Sequence, residues 1–155
     1  MLLYRIPREP STPRITVWRR LKRLSVAQLG DGLVALPADA RTREQLEWIA
    51  DEIIEAGGEA SIWLARPAAA AQERDLAARM ATARAEEYAA VTAEATAAAT
   101  ASSREQRRTA DRLRAQLRRI GRRDYFPPPE RDVAQAAVRA LLDRAVADEM
   151  RELSS

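Results

Sequence analysis

Apolar residues alternate and then spread along this chain in a way that separates two kinds of element. Leu2 to Ile6 reads as a short strand, ended by Pro7 and Pro10. Thr12 has the look of an N-cap with Pro13 opening a helix. From there Val17, Trp18, Leu21 and Leu24 recur at helical spacing, and at about 100° per residue Arg19, Arg20 and Arg23 fall opposite them. Val26 to Leu29 and Leu33 to Leu36 flank Gly30-Asp31-Gly32, a hairpin signal. Thr42 followed by Gln45 resembles a capping box, with Leu46, Ile49 and Ile53 as the inward stripe of a second helix. Gly57-Gly58 stops it, and Ala60 to Ala65 reads as a last strand. The order is βαββαβ, so the expected fold class is α+β, with residues 1–67 a ferredoxin-like unit.

The rest of the pattern is helical. Residues 68–101 contain 17 alanines, with Leu76, Met80, Tyr88 and Val91 as larger anchors. Ser102 and Ser103, followed by Glu105 and Gln106, mark a turn into the next helix. That helix keeps Ala110, Leu113, Leu117 and Ile120 on one narrow face. Arg104, Arg107, Arg108, Arg112, Arg114, Arg118, Arg119 and Arg122 cover the other. Pro127 to Pro129 end it, and a last helix should turn Val133, Ala137, Leu141, Ala145 and Met150 inward. Residues 68–155 are therefore expected as a three-helix C-terminal extension packed on the first unit, in one compact domain.

Composition removes several chemistries. Among 155 residues there is no cysteine and no histidine, which excludes disulfides, thiolate nucleophiles, the usual zinc sites and histidine acid–base catalysis. No glycine-rich phosphate loop is present, and no serine or threonine has an evident base. The expectation is a non-catalytic protein with no metal and no cofactor. No stretch approaches the roughly 20 apolar residues of a membrane span. The opening apolar residues meet Arg5 and Pro7 at once, unlike a secretion signal. A cytoplasmic protein is expected.

The net charge of +3 hides strong segregation. Residues 1–24 carry Arg5, Arg8, Arg14, Arg19, Arg20, Lys22 and Arg23 against Glu9 alone, and residues 102–126 carry nine arginines against three acids. The segments between are acidic. Such blocks bind an external anion or neutralise one another. The first basic face could track phosphates or pair with Glu44, Asp51 and Glu55. The second holds more arginine than the local acids can neutralise, which favours an anion. Arg5, inside an apolar strand, shares a sheet face with Trp63, so it is either a stacked contact or part of an anion site. The candidate nucleic-acid or anion contacts are Arg5, Arg19, Arg20, Arg23, Arg112, Arg118, Arg119 and Arg122.

Several of these segments together carry a family resemblance. YRIP at Tyr4–Pro7, Pro10-Ser11, WRRLKRL at Trp18–Leu24, a glycine-centred hairpin ending in Leu36-Pro37, and EAGGEA at Glu55–Ala60 resemble the N-terminal domain of the chromate-resistance regulator ChrB. AEEY at Ala85–Tyr88 and RRDYF at Arg122–Phe126 continue the likeness. The sequence departs from it at Val34, where family members tend to carry tryptophan, and it does not include the C-terminal domain of the larger members. The resemblance implies a DNA-binding regulator of chromate resistance, acting as a homodimer. Direct capture of chromate or another oxyanion by arginine clusters is one alternative, and a dimerisation or protein-interaction module is another. More distantly, the first strand and helix resemble the ferredoxin-like domains of PaaX and of the small CRISPR-adaptation nuclease. In the nuclease a metal-binding aspartate ends the first strand; here that place is Arg5, which repels a cation.

Overall fold

Leu2 and Tyr4 face one way and Leu3 and Arg5 the other, the two-residue period of a half-buried strand. In the computed structural model, which describes residues 1–154, this strand is β1 (Leu2–Arg5). It is followed by α1 (Ser11–Leu24), β2 (Ala27–Gly30), β3 (Leu33–Ala35), α2 (Ala40–Glu55) and β4 (Glu59–Ile62). Then come α3 (Ala70–Ala97), a 3₁₀ turn (Ala98–Thr100), α4 (Ser103–Gly121) and α5 (Glu130–Leu153). The protein is mixed α+β and mostly helical. Its contacts gather into two units, residues 1–80 and 81–155, the boundary falling inside α3. Ser155, the last residue of the expected extension, lies outside the described residues.

In the first unit the four strands form one antiparallel sheet in the order β2-β3-β1-β4. Leu2 stands opposite both Val34 and Ile62, and Arg5 opposite Glu59. Leu2 and Val34 close over Val17 and Leu21 of α1 and Leu46, Ile49, Ala50 and Ile53 of α2, all buried. The hairpin turns at Gly32, whose φ of +69° suits glycine, and a Cβ there would sit 2.2 Å from the Tyr4 carbonyl oxygen. The closeness has a cause: the Tyr4 amide donates to the Gly32 carbonyl at 2.7 Å. Gly57 and Gly58 end α2 as expected, their amides bonding the carbonyls of Ile54 and Ile53, both at 2.9 Å.

Local readings shift in four places. The start of α1 is Ser11, after Pro10, so Thr12 lies in the first turn and caps nothing; Pro13 is tolerated because the first four amides of a helix have no intrahelical partner. The cap of α2 is Asp39, not Thr42. Asp39 accepts from the Thr42 amide at 2.8 Å, and the Thr42 hydroxyl accepts from the Asp39 amide at 3.2 Å. Trp18 is 52% exposed, because it stands about 100° around the helix from Val17. The last strand ends at Ile62; Trp63 still exchanges two bonds with Met1, its amide donating at 2.8 Å and its carbonyl accepting from the Met1 amino group at 2.6 Å, while Leu64 and Ala65 leave the sheet exposed.

The second unit is built from the C-terminal part of α3 with α4 and α5. Tyr88, Val91 and Ala95 pack with Ala110, Leu113, Ile120, Ala134, Val138 and Leu141. The inward stripe of α5 is as expected at Leu141 and Ala145, both buried, with Ala137 packed against the same core. It differs at its two ends: Ala134 and Val138 are buried in the first turns, while Val133 and Met150 are exposed. Ser102 caps α4 through the Glu105 amide at 3.4 Å, as the sequence predicts. Buried Gln106 donates to the carbonyls of Ala99 and Ala101 at 3.1 and 2.9 Å, tying down the 3₁₀ turn. Among the described residues no helix is long and apolar enough to cross a membrane.

Candidate anion sites and an arginine-lined cavity

A helix rich in arginine distributes its charges by where carboxylates happen to stand. On α4, Arg107 meets Glu149 of α5 through two bonds at 3.0 and 2.6 Å, and Arg112 grips Glu94 of α3 with both arms. Those bonds hold both guanidiniums above their ordinary pKa. On α1, Arg20 pairs with Glu52 of α2. Arg20 and Arg112 thus serve internal charge complementarity, and the acid that Arg20 finds is none of the three expected. Arg122 also has an interaction within the chain.

Arg5, Arg19, Arg23, Arg118 and Arg119 are exposed, and among the described residues none makes an ion pair. The expected stacking of Arg5 on Trp63 is corrected. Trp63 stands opposite Met1 and Arg5 opposite Glu59, four residues apart or about 13 Å along the strand. The cation–aromatic contact that forms is on α1, with the Lys22 ammonium 4.3 Å from the Trp18 ring centre. Arg19, Lys22 and Arg23 share the outward side of that helix.

Two sequence motifs meet in the second unit. Glu87 and Tyr88 are neighbours on α3; Arg123 and Asp124 are neighbours just after α4. Arg123 binds Glu87 with both arms, Arg84 adds a contact to the same carboxylate at 2.8 Å, and the Tyr88 hydroxyl donates to Asp124 Oδ2 at 2.9 Å. Burial, and then the hydrogen bond to Asp124, push the Tyr88 phenol up to about 12, so at neutral pH it is a fixed donor. The other oxygen, Asp124 Oδ1, is buried and accepts no hydrogen bond.

Beside this pair lies a cavity of about 370 Å³, lined by Tyr88, Arg114, Leu117, Arg118, Gly121, Asp124, Arg131 and Gln135. Helical period sets the α4 side, since residues 114, 117, 118 and 121 share one strip. The first turns of α5 supply Arg131 and Gln135. Among the described residues the one ion pair of Arg114 is with Asp111, at 3.9 Å. Three arginines and a single acidic residue thus line the space. Of the sequence-predicted contacts the cavity contains Arg118 alone. Sequence reasoning placed Arg114 on the basic face without singling it out, treated Tyr88 as core, and passed over Arg131, Asp124 and Gln135. The available signal was the charge complementarity of AEEY and RRDYF. Among the described residues no three carboxylates gather as a metal site would require.

The chain thus joins in sequence a mixed α+β unit with a basic helix and a helical unit with an arginine-lined cavity. The family model described as "Protein ChrB, N-terminal" matches residues 14–150. The chain belongs to that family, that of the chromate-resistance regulator whose motifs it carries. No curated protein and no solved structure matches it.

Proposed function

We propose that the protein is a cytoplasmic, non-catalytic transcriptional regulator of chromate resistance that binds DNA through arginine–phosphate contacts. The first unit is a ferredoxin-like domain in this reading, supported by its strand order. The observation that carries the proposal is the division of the arginines. Arg20 and Arg112 are held by carboxylates, while Arg19 and Arg23 stand together on the outward side of α1 without one. Guanidinium forks left open in this way suit phosphate oxygens. Arg118 and Arg119 offer a second basic face.

The test is DNA affinity against salt, using the chain's own upstream DNA. Each phosphate contact adds about 0.9 to the slope of log K against log salt. Arg19→Ala and Arg23→Ala should each lower the slope by about 1. Arg20→Ala and Arg112→Ala remove paired arginines and should leave it unchanged. Identical slopes for all five proteins would remove the phosphate-contact reading. A second reading, an interaction or homodimer module, is favoured by the exposure of all three tryptophans, Trp18, Trp48 and Trp63, at 52%, 60% and 55%. It predicts weak, sequence-blind DNA binding and a change of oligomeric state when Leu76 or Met80 is made charged.

A further inference from the structure

The cavity of the second unit holds a surplus of positive charge and an unanswered acceptor. Arg114, Arg118 and Arg131 line a shared space, and Asp124 already accepts from Tyr88 through one oxygen. Its other oxygen is buried without a partner, a condition rare enough in folded proteins to require a reason. A carboxylate only accepts, so what completes it must bring a hydrogen-bond donor.

We propose that this cavity is a small-molecule site for a hydroxyl-bearing phosphate ester, with the phosphoryl group on Arg114, Arg118 and Arg131 and a hydroxyl donated to Asp124. Three forks match the oxygens of a dianionic phosphoryl group, which leaves the carboxylate to read the body of the ligand. Volume argues the same way. About 370 Å³ is within the range of small-molecule pockets, about 300–1,000 Å³, and is the space of about a dozen waters at roughly 30 Å³ each. A bare tetrahedral oxyanion would give Asp124 no donor when fully ionised. Leu117 supplies an apolar wall, and the Gln135 amide can both donate and accept. The Tyr88 bond holds Asp124 in place, and the Arg123–Glu87 pair fixes the adjoining backbone.

The test uses the full chain without DNA, so its outcome is independent of the regulator reading. Titration calorimetry with glucose 6-phosphate and with AMP is compared with sulfate, chromate and glucose. One charge-assisted hydrogen bond changes affinity by roughly tenfold or more. At least one of the two esters should therefore bind at least about tenfold tighter than sulfate, chromate or glucose. Arg114→Gln with Arg118→Gln should abolish that binding. Asp124→Asn should narrow the gap between ester and sulfate, and Gln135→Ala serves as a milder variant if the former disturbs folding, each checked by circular dichroism. Failure of both esters to bind by about 10 mM, where affinities are too weak to matter, would overturn the proposal. So would sulfate or chromate binding as tightly as the esters, or ester binding that survives the double arginine variant.

Discussion

Replacing Tyr88 by Phe removes one oxygen from a ring that is 1% exposed and leaves the packing around the ring in place. What is lost is the hydrogen bond to Asp124 at 2.9 Å. A bond to a charged partner contributes about 1.5–3 kcal/mol, and the other Asp124 oxygen, Oδ1, is already buried without a hydrogen bond. We expect a loss of about 2–3 kcal/mol at pH 7. The pH dependence adds a second measure, of the burial of the phenol first and of its bond to Asp124 after that. The folded phenol titrates near 12 against an ordinary 10, so folding favours its protonated form. Its contribution is complete below pH 10 and fades as the pH rises to about 12, a total of roughly 3 kcal/mol at about 1.4 per pH unit. Urea unfolding followed by far-ultraviolet circular dichroism should show a lower midpoint for Tyr88→Phe with unchanged slope. The stability gap to wild type should then close between pH 10 and 12. A loss below about 0.5 kcal/mol, or a gap that persists undiminished through that window, would refute the assignment of this bond as a fastening of the helical unit.

Other outcomes follow from single contacts. Gly32→Ala places a methyl group 2.2 Å from the Tyr4 carbonyl oxygen at a positive φ and should cost at least about 2 kcal/mol; Gly30→Ala, with open space around it, should cost less than about 1, both read by chemical denaturation. Thr42→Val keeps the shape of a buried side chain but loses its donation to the Pro37 carbonyl at 2.6 Å and its half of the Asp39 cap, so the melting temperature should fall by the equivalent of about 1–2 kcal/mol. Gln106→Leu leaves the Ala99 and Ala101 carbonyls without their side-chain donor; a loss of about 2–3 kcal/mol is expected, with hydrogen exchange accelerated first around the 3₁₀ turn.

Where the sequence was easy to read, a single local rule decided the structure. Gly57-Gly58 ends α2 because a left-handed residue is needed there, and Ser102 caps α4 because its hydroxyl reaches an amide three residues on. Where two rules competed, the reading slipped. Both Asp39 and Thr42 are capping residues in a stretch of alternating polar side chains, and the winner was set by Thr42 also reaching the Pro37 carbonyl. Trp18 looked inward because it is large and apolar, yet Val17 and Leu21 already fill the narrow contact with the sheet, and Lys22 covers its ring instead.

The candidate site divides the same way. That α1 and α4 would be basic, amphipathic and outward-facing was written in their spacing, since 3.6 residues per turn and charge alone determine it. Which arginines would remain open was not. Arg112 lost its freedom to Glu94, 18 residues away, and Arg107 to Glu149, 42 residues away. The cavity depends on the meeting of Tyr88 with Asp124 across 36 residues. A helical period fixes direction around one axis, but the partner of a long, flexible guanidinium depends on which helix is packed alongside. The sequence by itself determined the order of elements, the basic faces and the family; only the tertiary structure decided which charges pair with each other and which are left open.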